Sequence, residues 1–191
     1  MLTHLSPLHA IAARRGDGLR PELANLAGDG ANALRTASGE KAMSRETENK
    51  AIVGRWFEGF WGNPWNPGII DELAAPNMLL QYSLHAPRRG RDDVRDFMEG
   101  FRAAFPDLNF WGAAELIAEG DYVVGRWEGG GTHTGAAFSD FLIGALPAGS
   151  GRKMRFTGTT VLRVENGLIA EEIGLDDGVT ALQQLGLVKA A

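Results

Sequence analysis

The sequence predicts an α+β fold in which a curved, mixed or antiparallel β-sheet wraps around three helices from the N-terminal half and encloses a pocket. Three observations carry the prediction. From Asp121 to Trp127 and again from Met154 to Leu175, β-branched and aromatic residues are dense, as they are in half-buried strands. Asn166-Gly167 stands between two apolar runs, a strong short-range mark of a hairpin closed by a primed turn. Ahead of these strands, apolar residues recur at helical spacing. Amphipathic helices over one face of a curved sheet make a cone with an apolar interior, and small molecules are usually bound in such hollows.

Residues 1–42 mix Gly, Ala, Asn, Arg and Ser with short apolar fragments such as Leu5, Leu8 and Ile11 and sustain neither period. They are expected to be a disordered N-terminal extension to a domain spanning 43–191. No compact apolar stretch precedes a small-residue cleavage site, which argues against a secretory signal. Ser44 is a capping residue, and Ile52, Trp56 and Phe60, with Val53, Phe57 and Trp61 beside them, make one helical stripe. Asn63-Pro64 ends that helix. The segment from Pro67 to Pro76 suits a short second helix. Asn77 to Ala86 alternates as a strand, with Met78, Leu80, Tyr82 and Leu84 on one face and Leu79, Gln81, Ser83 and His85 on the other. A third helix is expected from Asp92 to Phe105, its stripe marked by Val94, Phe97, Met98, Phe101 and Phe105. Leu108 to Ile117 and Asp121 to Trp127 read as a hairpin around Glu119-Gly120. A loop from Gly135 to Gly151 leads to the last two strands, and a helical segment from Thr180 to Leu187 closes the chain.

Composition narrows the function. Cysteine is absent, which excludes disulfides, thiolate metal sites and a cysteine nucleophile and fits a reducing, cytoplasmic compartment. No run approaches the roughly 18 apolar residues of a membrane span. Beyond residue 42 there are 14 basic against 20 acidic residues, so no nucleic-acid footprint is expected. P-loop and dinucleotide-binding glycine patterns are missing, as is a serine nucleophile elbow.

Several motifs in order resemble the SnoaL-like polyketide cyclase and ester cyclase family, within the NTF2-like group of cone folds. They are Asn49-Lys-Ala-Ile-Val with Phe57 and Trp61, Phe105-Pro-Asp107, Arg126-Trp127, Gly131-Thr-His-Thr-Gly135, Pro147 with Gly149 to Arg152, Asn166-Gly-Leu-Ile with Glu171, and Gln184-Leu-Gly-Leu187. The likeness covers about residues 45 to 188. It implies a cofactor-free enzyme in which an acid on the last strand takes a proton for an intramolecular aldol closure. Two departures stand out. Ala136 to Ala148 is longer than the family's loop and looks like an insertion at the pocket mouth. Where the family often has Glu-His-Trp, this chain has Glu171-Glu172-Ile173.

Ring closure needs a base beside a carbonyl and a donor for the enolate oxygen, both kept dry. A carboxylate among apolar neighbours is the better base near neutrality because burial raises its pKa. Strand parity turns Glu172 inward, away from Glu171, Ile173 and Leu175; Asp176 shares its parity, and Asp177 matches the family acid by its distance to Gln184-Leu-Gly. Each acid taken alone also reads as a solvated edge residue or a helix cap. The resemblance puts His85 at a position that commonly faces the cavity. Candidate catalytic residues are therefore Glu172, His85, Asp176 and Asp177. For substrate binding, Tyr82 and Tyr122 are possible oxyanion donors, Trp111 a wall, Arg126 a partner for a carboxylate, and His133 a polar group in a glycine-rich strand end. Two isolated histidines make no metal cluster. The expected ligand is a small hydrophobic carbonyl compound. A binding module that does not transform its ligand is the alternative, and an epoxide or ester hydrolase ranks last because Arg126 and Asp121 are only fragments of the set it needs. An exposed apolar sheet face would require a partner, so a homodimer is expected.

Overall fold

The computed structural model describes residues 43–189; the disorder expected of residues 1–42 concerns residues outside that range. The elements run α1 (Arg45–Trp56), a π-helical turn (Phe57–Trp61), α2 (Ile69–Leu73), β1 (Ala74–Gln81), β2 (Arg88–Arg89), α3 (Arg91–Ala104), β3 (Asn109–Gly112), β4 (Ile117–Glu119), β5 (Tyr122–Thr132), β6 (Lys153–Glu165), β7 (Leu168–Asp176) and α4 (Gly178–Gln184). The sheet is curved and unclosed, in the order β2-β1-β7-β6-β5-β3, with β4 also on β5. It is mixed, because β1 lies parallel to β7 while the other pairs are antiparallel.

The hairpin between β6 and β7 turns at Asn166 and Gly167, whose φ angles of 51° and 76° are both positive, as a type I′ turn requires. Ser44 caps α1, its hydroxyl accepting from the Thr47 amide at 3.3 Å. Asn49 donates to the Gly120 carbonyl at 2.9 Å, which ties α1 to the turn between β4 and β5. The stripe of α3 is buried through Val94, Phe97, Met98, Phe101 and Ala104. Each large apolar side chain removed from water there contributes about 1.5–3 kcal/mol.

Three boundaries differ from expectation. β1 starts at Ala74 and carries Pro76 inside it; the register against β7 shifts between Ala74 and Leu79, and such an irregularity tolerates a residue with no amide hydrogen. β1 also stops at Gln81 rather than Ala86. The strand expected from Leu108 to Ile117 is broken into β3 and β4, both paired to β5.

Inner and outer faces of the sheet are distinct. Val123, Trp127, Met154, Phe156, Thr160, Leu162 and Glu172 are buried inside. The outer face carries Tyr122, Val161, Ile173 and Leu175, all exposed, among ion pairs of Arg163 with Glu171 and Arg155 with Glu128. Arg102 on α3 closes the helical layer. Its guanidinium donates to the carbonyls of Phe60, Gly62 and Leu108 at 2.8–3.1 Å and lies over the Trp65 ring, with burial lowering its pKa to about 10. No helix among the described residues is long and apolar enough to cross a membrane.

Candidate functional site

The site starts from the π-helical turn. In an α-helix, residues five apart point in different directions. The wider turn from Phe57 to Trp61, closed by the Gly62 amide on the Phe57 carbonyl at 3.0 Å, lets Trp56 and Trp61 face the same carboxylate. Trp56 Nε1 donates to Glu172 Oε2 at 2.6 Å and Trp61 Nε1 to Glu172 Oε1 at 2.7 Å. Tyr82 donates to Oε1 as well, at 2.5 Å, and its oxygen also meets Thr160 Oγ1 at 2.8 Å. Trp127 Nε1 donates to that same Thr160 oxygen at 2.7 Å. Indole nitrogens only donate, so the network runs from donors at its ends to one buried acceptor, Glu172.

Two glycines make room for these rings. A Cβ on Gly158 would collide with Trp127, and one on Gly174 would collide with Tyr82. Glu172 is 0% exposed. Burial raises its pKa, and the three donated hydrogen bonds oppose that rise without cancelling it. Burial, with the Glu172 charge beside it, raises the Tyr82 pKa well above its usual value.

In front of this network lies the hollow, a narrow one whose free space of about 20 Å³ is little more than a water molecule needs. Its walls are seven aromatic rings (Phe57, Trp61, Tyr82, Phe101, Phe110, Trp127 and Phe156), together with Leu84, His85 and Asp176. Trp61 and Tyr82 stand between the hollow and Glu172, whose two oxygens are already engaged. Glu172 therefore points inward, as parity predicted, and holds two wall residues in place, but it does not itself line the hollow.

Asp176 does. It sits at the end of β7, where the Ser83 hydroxyl and amide donate to it, and burial raises its pKa. It has no Lys or Arg partner among the described residues. Asp177, one residue on, is exposed and caps α4 by accepting from the Thr180 amide at 3.3 Å. Glu171 faces outward and pairs with Arg163 at 2.9 Å, which lowers its pKa.

His85 reaches the hollow because β1 ends early. Were the strand to continue, His85 would share the outer side with Gln81 and Ser83; a turn after Gln81 brings it in. It is 5% exposed, and its ring packs against Phe97 with centroids 4.3 Å apart. Burial, reinforced by the nearby Arg88 charge, lowers its pKa to about 3. Its ring nitrogens have no protein partner among the described residues. Beside it, the segment Ala136 to Ala148 folds over this end of the cone: Phe138 and Leu146 exchange backbone hydrogen bonds at 2.8–3.0 Å, the Leu142 amide donates to the Leu84 carbonyl at 2.9 Å, and Asp140 pairs with Arg88.

The other expected residues lie outside the hollow. Trp111, Tyr122 and Arg126 stand on the outer face of the sheet, because β3 and β5 alternate and Phe110 and Trp127 take the inward positions. Trp111 donates to Glu128 at 3.1 Å and receives the Arg155 guanidinium over its ring. His133 is buried, but its ring nitrogens meet Ser150 Oγ at 2.9 Å and the Ala136 carbonyl at 2.7 Å, so it staples the base of the inserted segment. Thr160 and Ser83 also belong to the site, although single polar residues in strand and turn positions carry no signal of such a role. No group of three or more His, Asp or Glu side chains among the described residues is placed to hold a metal.

The SnoaL-like polyketide cyclase family model matches residues 51–185. The chain belongs to this family. Solved structures agree in fold. A protein from Jannaschia sp. CCS1 described as a SnoaL-like polyketide cyclase is 23% identical, covering 80% of this chain and 99% of its own, with a TM-score of 0.62. One from Bacillus cereus described as a polyketide cyclase is 23% identical, covering 77% and 87%, with a TM-score of 0.58. A protein of ketosteroid isomerase-like fold from Catenulispora acidiphila is 18% identical, covering 72% and 93%, with a TM-score of 0.56. No curated protein matches the chain. The family match spans the strand that carries Glu172 and Asp176 and stops one residue into the Leu185-Gly-Leu187 turn, so the aromatic hollow lies wholly within it.

Proposed function

We propose that this member of the SnoaL-like family is a cofactor-free acid/base catalyst acting on a small, largely apolar carbonyl compound. One observation carries the reading: of the four acids near the end of β7, Asp176 lines the aromatic hollow, while Glu172 is enclosed behind it, Glu171 is paired and Asp177 caps a helix. Asp176 then takes the proton next to the substrate carbonyl. His85, held neutral by its surroundings, gives a hydrogen bond to the carbonyl oxygen as negative charge develops there. Tyr82 serves as a wall, since its proton is committed to Glu172 while that carboxyl is ionised. Intramolecular aldol closure follows when the enolate meets a second carbonyl of the same molecule.

The test is exchange of the α-protons of 2-tetralone for deuterium, followed by NMR. Asp176→Asn is expected to slow the enzymatic rate at least about 100-fold, the usual worth of a positioned base; an unchanged rate removes Asp176 from the role. A second reading, ligand binding without turnover, is favoured by the narrowness of the hollow. It predicts that the wild-type chain binds 2-tetralone and leaves its exchange rate at the uncatalysed level.

The outer sheet face supports a homodimer. Val161, Ile173 and Leu175 are neighbours across β6 and β7, and Leu175 is 81% exposed, an apolar strip that a second copy would cover. Leu175→Glu is expected to halve the mass seen by light scattering. Wild-type protein that is already monomeric at high concentration contradicts the proposal.

A further inference from the structure

The hollow is too small for the compound proposed to react in it. Its free space of about 20 Å³ holds little more than one water, so a bicyclic ketone such as 2-tetralone enters only when part of the wall moves. Most of the wall is held. Trp61 and Tyr82 are bonded to Glu172, and Trp127 to Thr160. Phe110 and Phe156 lie on β3 and β6, paired to Gly129 of β5 from either side. Phe57 begins the π-helical turn and Phe101 belongs to α3.

Leu84 and His85 are the exception. They follow β1 outside any helix or strand, and the one hydrogen bond that either makes among the described residues runs from the Leu142 amide to the Leu84 carbonyl, at 2.9 Å. The segment is tethered at both ends, since Ser83 donates to Asp176 and Arg88 pairs with Leu80 across β1 and β2. Residues 84–87 thus form a short strap between fixed points.

The inserted segment does not line the hollow; it holds this strap from behind. Its base is fixed, because the Gly135 and Ala136 amides donate to the carbonyls of Ala104 and Ala103 at 3.1 and 2.9 Å, and the Phe138 ring packs 5.3 Å from that of Phe101. Its tip is held more lightly. Leu142 and Ile143 are exposed, and the polar ties of the tip to the body are the Leu142–Leu84 bond and the pair of Asp140 with Arg88. Releasing that pair strands no buried charge: the Asp140 side chain is 39% exposed, while Arg88 keeps Asp93 at 3.4 Å and the Phe97 ring beneath it.

We propose that residues 84–87 are the movable wall of the hollow and that the tip of the inserted segment latches them through Asp140 and Leu142, so that the latch decides how large a ligand enters. This rests on the hollow being the ligand site. Only the unlatched form admits a ring compound, and the association rate therefore follows the population of that form.

The test uses the full chain and Asp140→Ala in two measurements. Amide hydrogen exchange followed by NMR reads the latch without any ligand: the Leu142 amide is expected to exchange about fivefold faster in the variant, the worth of one partly exposed ion pair, with the Gly135 and Ala136 amides unchanged. Stopped-flow tryptophan fluorescence reads the entry of 2-tetralone, whose association rate is expected to rise by the same factor. Unchanged exchange at Leu142 overturns the latch, as does an equal gain at the base amides, which marks a general loss of stability. Faster exchange with an unchanged association rate also overturns it, because the strap is then not the way in, and the hollow stands as the ligand site. If 2-tetralone binds neither protein, the hollow is not that site, and the proposed function falls together with the latch.

Discussion

Glu172→Ala is expected to destabilise the fold by roughly 3–6 kcal/mol, measured as the shift in the urea midpoint multiplied by the m-value. The substitution leaves Trp56, Trp61 and Tyr82 with buried donors and no acceptor. An orphaned buried group costs about 1–3 kcal/mol, and the vacated volume adds to that. Glu172→Gln is the informative partner. Its amide oxygen replaces Oε1 for Trp61 and Tyr82, but its NH₂ then faces the Trp56 N–H, donor against donor. It should therefore lose about 1–3 kcal/mol, the cost of a single unsatisfied pair. The two variants also differ in pH dependence. Burial raises the folded-state pKa of Glu172 above its ordinary value of 4.5, so folding favours the protonated form, and its contribution to stability is lost as pH rises from about 4.5 through the folded pKa. The gap between wild type and Glu172→Gln should narrow over that rise. A gap that widens means the carboxylate is stabilised as an ion.

His85 has the opposite sign. Its pKa falls from 6.5 to about 3 on folding, so the unfolded chain binds a proton that the folded chain refuses. The stability contributed by keeping the ring neutral is complete above pH 6.5 and is lost as pH falls towards 3, by up to about 5 kcal/mol. Part of any acid lability seen below pH 6 should therefore be absent in His85→Phe, whose ring suits the contact with Phe97. Urea titrations of both proteins at pH 7.5, 5.5 and 4.5 check this; parallel losses in the two would show that His85 is not the group responsible.

Much of the architecture could be read from residue patterns because it is local. The Asn166-Gly167 turn, the α3 stripe and the inward parity of Glu172 each follow from periods of 2 or 3.6 and from backbone chemistry that a few residues determine. What escaped reading depends on departures from those periods. The stripe from Ile52 to Trp61 looks like continuous α-helix, yet the π-helical turn is what aims both indoles at one carboxylate. The alternation from Asn77 to Ala86 groups His85 with Gln81 and Ser83, so its cavity-facing position follows from the family resemblance and not from that alternation; the early end of β1 at Gln81 is what turns it inward. The choice among Glu172, Asp176 and Asp177 could not be made from parity, because Glu172 and Asp176 share it. It depends on which side chains stand between each carboxylate and the hollow. Trp111 reads as a wall from its place on the strand Leu108 to Ile117, but Phe110, one residue earlier, has the inward register.

Asp176, and not the more deeply buried Glu172, is the group proposed to move the proton. The pH profile of α-deuterium exchange into 2-tetralone tests it most directly, run on wild type, Asp176→Asn and Glu172→Gln under conditions where all three are folded. One rising limb is expected, with a midpoint above 3.8, the ordinary value from which burial raises Asp176, present in Glu172→Gln and absent in Asp176→Asn. A limb that survives in Asp176→Asn and disappears in Glu172→Gln would contradict it.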